Sequence, residues 1–146
     1  MYSLGTGIEG NYLEMNDISD LSPVHVLCGR VVHGKGIGSK AGMPTANLEV
    51  LPDMKLPDEG VYAAKVYVRD KEYIGVTNVG LRPTVDNEDV VTVETYIMDF
   101  QEDIYEENIR LELYQLLRKQ QKFDNMLSLL KQLEKDCAKT REIFNF

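Results

Sequence analysis

The chain has 146 residues, enough for one domain with a core that needs neither disulfides nor a structural metal. Its 16 basic and 24 acidic residues leave a net charge of −8, which argues against wrapping duplex nucleic acid or coating an anionic membrane. No run approaches the roughly 18 apolar residues of a membrane span, and no basic-then-apolar leader opens the chain, so a cytoplasmic protein is expected.

Residues 1–22 carry Glu9, Glu14, Asp17 and Asp20 with no Lys or Arg, and their apolar residues keep no period. Residues 1–23 read as an acidic N-terminal extension or linker, and 24–146 as the domain. Val24–His33 is rich in β-branched residues and predicts a strand. A glycine-dense loop follows, and Leu51–Gly60, with Pro52 and Pro57, predicts an irregular connection. Val61–Val68 and Glu72–Val79 predict a hairpin joined at Asp70-Lys71, and Arg82–Asp89 an acidic loop. Val90–Phe100 alternates as a long strand. Ile109–Leu117 alternates again, with Ile109, Leu111, Leu113 and Leu117 on one face and Arg110, Glu112 and Tyr114 on the other. Met126, Leu130, Leu133 and Cys137 recur at helical spacing, with Asp124 or Asn125 as the cap. Strands followed by one amphipathic helix predict a mainly β fold, a small antiparallel barrel with the helix on its outside or across one end. Cys28 and Cys137 read as free thiols.

Four stretches carry candidate chemistry. The first, Gly34 to Gly42, fits neither a P-loop nor a dinucleotide fingerprint, because Ser39 stands where each needs glycine. Yet Leu21–Leu48 contains no acid and holds Arg30, Lys35 and Lys40, a local +3 among glycines that suits a polyphosphate. A flexible hairpin loop with solvated lysines is the alternative. The second is Pro44-Thr45-Ala46-Asn47: if extended, it puts a hydroxyl and an amide oxygen on one face, neutral donors that can complete a magnesium shell. A turn after proline is the alternative. The third is Glu94, a carboxylate in an apolar strand, which must face solvent, find a partner or serve as a general base; Asp99 is a second, weaker candidate. The fourth, Arg118 to Phe123, is acid-free, carries +3 and ends on an aromatic. It suits an anion attached to a flat ring, or simply a cationic lead-in to the helix. His25 and His33 have no Cys/His cluster beside them, so zinc is not expected.

Gly29-Arg30-Val31-Val32-His33-Gly34, Gly42-Met43-Pro44-Thr45-Ala46-Asn47-Leu48, Leu56-Pro57, Gly60-Val61-Tyr62-Ala63, Gly75 to Gly80, Arg82-Pro83-Thr84, Val93-Glu94, Asp99-Phe100, Ile104-Tyr105, Leu117-Arg118 and Lys122-Phe123 resemble, in order and spacing, the riboflavin kinase (flavokinase) family. The resemblance covers roughly residues 24–142. It implies a six-stranded Greek-key barrel with a C-terminal helix, and transfer of the ATP γ-phosphate to the riboflavin 5′-hydroxyl to give FMN. It implies Mg²⁺ or another divalent metal held by Thr45 and Asn47, and Glu94 as the base. Gly34 and Lys40 fall on the nucleotide phosphates, and Ile97, Asp99 and Tyr105, with Thr45, on the nucleotide pocket. Arg118 and Phe123 fall on the flavin side. The implied partners are ATP and riboflavin, with no nucleic acid and no membrane, and the chain is expected to be a monomer. FAD formation, carried in many bacterial members by an upstream FMN adenylyltransferase domain, is expected to lie outside this chain. A non-catalytic flavin- or FMN-binding regulatory module is the alternative. Four places depart from the family pattern: Met43 stands for Phe or Ile, Tyr96 for His, Glu106-Glu107 for the Gly after the Tyr, and Gln120 for Glu.

Overall fold

The computed structural model describes residues 21–34, 45–83 and 89–146. The acidic extension up to residue 20, Lys40 with most of the glycine loop, and the middle of the predicted acidic loop lie outside them.

Among the described residues, six strands precede one helix: β1 His25–Val32, β2 Ala46–Leu48, β3 Gly60–Val68, β4 Lys71–Pro83, β5 Asp89–Ile97, β6 Asn108–Arg118 and α1 Met126–Phe144. They close into an antiparallel barrel in the order β1-β2-β5-β4-β3-β6, so no edge is left open. Strands β3 to β5 form a meander and β6 returns beside β3, which is the Greek-key arrangement the family resemblance implies.

Alternation decides which side chains enter the barrel. Leu27, Val31, Leu48, Val66, Val93, Ile97 and Leu111 fill its interior. The opposite faces of β3 and β4, at Val61, Ala63, Ile74 and Val76, pack against Leu133, Cys137 and Phe144 of α1. β3 therefore has a buried face on each side, and Ala63 and Ala64 are both fully buried. Cys28 is exposed, Cys137 is buried, and both are free thiols as expected.

The structure corrects several local expectations. The β3–β4 hairpin turns at Arg69-Asp70, not Asp70-Lys71, because Lys71 still pairs with Val68. Both turn residues are left-handed (φ 49° and 67°), as a two-residue hairpin turn matching strand twist requires. The Val90–Phe100 run stops as a strand at Ile97, and a turn follows with Asp99 at φ 56°. Leu117 leaves the face of Ile109, Leu111 and Leu113 and joins the helix-side cluster. Two register shifts between β3 and β6 interrupt the alternation before it. Helix burial deepens toward the C-terminal half. Asp136, Cys137, Thr140 and Phe144 are buried, whereas Met126, read as part of the apolar stripe, is 39% exposed. Asn125 is the cap, its side chain accepting a hydrogen bond from the Ser128 N–H at 2.9 Å.

Glu112 falls on the face opposite Ile109, Leu111 and Leu113, yet it is 7% exposed. It accepts from the Tyr114 hydroxyl at 2.7 Å and from Arg110 Nε at 2.9 Å. Burial pushes its carboxyl upward, but hydrogen bonds from Tyr114 and Arg110, with the charge of Arg110, outweigh that and hold it below the usual carboxylate range. A lowered carboxylate stabilises the fold above its unfolded-state value and loses that contribution as pH falls through the folded value. Glu112→Gln is expected to be less stable than wild type at neutral pH. In urea unfolding, the gap should narrow as pH drops from about 6 to about 3.

Candidate active site

β2 is only three residues long, and its register sets what the site contains. Asn47 lies opposite Glu94 of β5, and the same Glu94 lies opposite Asn78 of β4 on its other side. Asn78 is opposite Val61 of β3, which is opposite Arg118 of β6. Directly opposed residues share a sheet face, with Cβ atoms about 5 Å apart. Val93 and Ile97, the sequence neighbours on β5's other face, enter the barrel, so this row lies on the outer wall. Glu94 and Tyr96 share that wall, and Tyr96 packs toward the helix-side cluster.

Thr45, just before β2, donates its hydroxyl hydrogen bond to Glu94 Oε1 at 3.2 Å. Thr45, Asn47, Glu94 and Asn78 are all half-buried. At one end of the row stands Gly34. A Cβ there would fall 2.3 Å from Cγ, Oδ1 and Nδ2 of Asn47, so a glycine is required to leave the amide its place. At the other end, Gln120 Nε2 donates to Asn78 Oδ1 at 2.8 Å, and a Cβ on Gly80 would fall 2.3 Å from that nitrogen. A hydroxyl and an amide beside a carboxylate are hard oxygen donors. Among the described residues no three His, Cys, Asp or Glu gather into a cation cage. A cation here would draw on Thr45 and Asn47, with its remaining ligands coming from substrate and water.

A cleft of about 550 Å³ adjoins the row. Val31, Thr45 and Ala46 form one side, and Ile97 with residues 100–105 the other. Thr45 thus belongs both to the cleft and to the carboxylate's surroundings. The volume suits a nucleotide-sized ligand. His33 stacks on Tyr105 at the cleft, ring centroids 3.7 Å apart and 19° from parallel. Of the three predicted pocket residues after Glu94, Ile97 and Tyr105 line the cleft; Asp99 is exposed on the left-handed turn beside it and does not.

Arg118 is clasped by Asp136 of α1: Nε reaches Oδ1 at 3.0 Å and Nη2 reaches Oδ2 at 2.9 Å. Gln132 also donates to Asp136, at 3.0 Å. The guanidinium lies 5.8 Å from the Phe123 ring centroid. Arg118 and Phe123 are therefore neighbours, at the end of the row that begins with Asn47. Lys40 is outside the described residues. Sequence reasoning gave no role to Asn78, although a lone amide between Thr77 and Val79 in an otherwise apolar strand is the same kind of signal that singled out Glu94. It gave none to Asp136 either, a carboxylate within an amphipathic helix whose partner is 18 residues upstream.

The fold and site define the class of small closed antiparallel barrels with one C-terminal helix and an outer-wall polar row, bearing one carboxylate, beside a cleft. The riboflavin kinase (Flavokinase) family profile matches residues 21–144, and the chain belongs to the riboflavin kinase family. It is 36% identical over 136 residues to a bifunctional riboflavin kinase/FMN adenylyltransferase of Listeria monocytogenes, covering 93% of this chain and 43% of that protein. It is 38% identical over 115 residues to the RNA-binding riboflavin kinase RibR of Bacillus subtilis, covering 77% of this chain and 48% of that one. The chain thus spans less than half the length of these curated relatives. A crystal structure named as a macrolide-efflux protein from Streptococcus pneumoniae superposes with a TM-score of 0.75 at 35% identity, over 82% of this chain and 38% of that one. Riboflavin kinase from Trypanosoma brucei shares the fold, with a TM-score of 0.58 at 21% identity over 82% of this chain and 79% of that one.

The close approach of Gly34 to Asn47 gives a direct test. Gly34→Ala is expected to displace the Asn47 amide while shifting the melting temperature by less than about 3 °C. The Asn47 side-chain amide signals in a ¹H–¹⁵N spectrum and thermal unfolding read the two effects separately.

Proposed function

We propose that this chain transfers the γ-phosphate of ATP to the 5′-hydroxyl of riboflavin, giving FMN and ADP, as a cytoplasmic enzyme. The observation that carries the proposal is the Thr45–Glu94 contact, in register with Asn47 and opening on a nucleotide-sized cleft, in a chain of this family. Phosphoryl transfer asks a protein for placement, charge neutralisation and an oriented nucleophile, and little covalent chemistry.

Each requirement has residues to meet it. Glu94 accepts the proton of the ribityl hydroxyl as its oxygen bonds to the γ-phosphorus and the bond from phosphorus to the ADP oxygen breaks. The Thr45 hydroxyl engages Oε1, which leaves Oε2 to orient the alcohol. Thr45 and Asn47 also offer the oxygens that would hold Mg²⁺, whose part when bound is to offset phosphate charge. ATP occupies the cleft between Thr45 and Tyr105, with Gly34 and Lys40 at its phosphates. The flavin ring lies toward Phe123, and Arg118, already paired to Asp136, steadies that aromatic more than it offers a free charge. Of the two activities in the bifunctional relatives' name, only the kinase is assigned to this chain.

Chromatography of riboflavin incubated with ATP and Mg²⁺ tests the reading. FMN should accumulate and EDTA should abolish it. Glu94→Gln is expected to lower kcat about 100-fold or more with the fold intact. An unchanged rate in that variant would remove Glu94 from the mechanism. FMN binding without turnover, under any nucleotide or metal, would favour a regulatory flavin module.

A further inference from the structure

One wall of the cleft is held from outside it. Residues 101–103 line the cleft but belong to no strand or helix. Among the described residues, the hydrogen bonds that tie these three to another element all come from Arg69. Its Nη1 donates to Glu102, and its Nη2 to the Asp103 carbonyl at 3.2 Å. Its Nε donates to Glu107 Oε1 at 2.8 Å, and its Nη2 also reaches Glu107 Oε2. Arg69 does not line the cleft; it sits in the β3–β4 turn at φ 49°, and that left-handed turn carries its side chain across to the segment. Its hydrogen bond, together with its charge, holds the Glu107 carboxyl below the usual carboxylate range.

The other anchors flank these three residues: Phe100 before them, edge-on to Tyr73, and the rest after them. Ile104 is buried in the core, and the Glu106 N–H bonds to the Val31 carbonyl at 2.7 Å. Tyr105 N–H is held by Asp103 Oδ1 at 3.0 Å, so the position of Asp103 sets the backbone that carries the Tyr105 ring. Arg69 also neutralises Glu102 at the cleft wall, where a free carboxylate would repel a polyphosphate. Lysine could supply the charge but not a planar fork that bridges two carboxylates and a carbonyl.

We propose that Arg69 is a positioning residue for the nucleotide. From the β3–β4 turn it clamps residues 101–107 into the shape that receives ATP, and so sets ATP affinity without touching substrate. The inference rests on the kinase reading for the identity of the ligand, but not for the clamp itself.

Two measurements on the whole chain separate these parts. Amide hydrogen exchange, with no ligand present, should become about tenfold faster at residues 101–105 in Arg69→Ala and remain unchanged in the helix. In steady-state assays the same variant should raise KM for ATP about fivefold, with KM for riboflavin and kcat within about twofold of wild type. Arg69→Lys should fall between the two in both readouts. Lys139→Ala, which removes an unrelated surface ion pair with Glu142, should move neither. Unchanged exchange in Arg69→Ala overturns the clamp. Faster exchange with an unchanged KM for ATP, or an equal rise in both KM values, overturns its role in nucleotide binding. If wild type itself makes no FMN, the kinase reading fails and the exchange result still decides the clamp.

Discussion

Antiparallel register is the constraint on which the site depends. Asn47, Glu94, Asn78, Val61 and Arg118 stand at one level across five neighbouring strands because each pair is directly opposed. The hydrophobic residues that fill the barrel set that register. Leu48 pairs with Val31 on one side and Val93 on the other, and all three are buried. A slip of one residue at β5 would drive Glu94 into the apolar interior and push Val93 into water, a double cost that the barrel cannot absorb. The same burial that closes the fold therefore aligns the carboxylate with its hydroxyl and amide neighbours.

The interior beneath the row is also polar at one point. Thr77 and Thr95 are fully buried, lie opposite each other and share a hydrogen bond of 2.7 Å. A paired buried hydroxyl is satisfied, whereas either alone would be left without a partner. The pair links β4 to β5 next to Asn78 and Glu94, and so fixes the spacing of the two strands whose outer faces carry those side chains. On the far side of β4 and β3, α1 supplies Asp136 to hold Arg118. The helix thus acts on the site through one buried carboxylate, in addition to covering an apolar face.

Much of this was legible in the chain. Alternation marked β5 and β6, β-branched or strand-like runs marked β1, β3 and β4, and helical spacing marked α1; Glu94 stood out as a carboxylate in an apolar strand, and Thr45 and Asn47 as neutral oxygens two residues apart. What was not legible follows from physics that acts between distant segments. β2 has three residues, too few to show a period of two, and only its pairing with β1 and β5 makes it a strand. Leu117 kept the alternation on paper, but register shifts against β3 moved it to the other cluster. Asp136 and Thr140 are polar and lie outside the apolar spacing of Met126, Leu130, Leu133 and Cys137, yet both are buried because Arg118 and the helix backbone satisfy them. The Arg69 turn was misplaced by one residue because two successive left-handed residues are not announced by glycine or asparagine here.

The segment after β5 shows why a cleft wall is built differently from a barrel wall. Asp99 and Glu106 bracket it, both left-handed (φ 56° and 67°), at positions where a side chain costs about 1–2 kcal/mol of backbone strain. Glu106 is not a glycine, so this chain keeps the turn with a residue poorly suited to it. Between the brackets Ile104 alone is fully buried, with Phe100 edge-on to Tyr73 as a second foothold. A segment with few apolar anchors opens at a lower free energy than the strands around it. For a wall that must admit and release a ligand, ionic and hydrogen-bonded contacts serve better than core packing: they fix geometry while closed and are replaced by water when open. Strain at two backbone positions, two apolar footholds and charge at the rim together describe a surface shaped to hold a ligand without enclosing it.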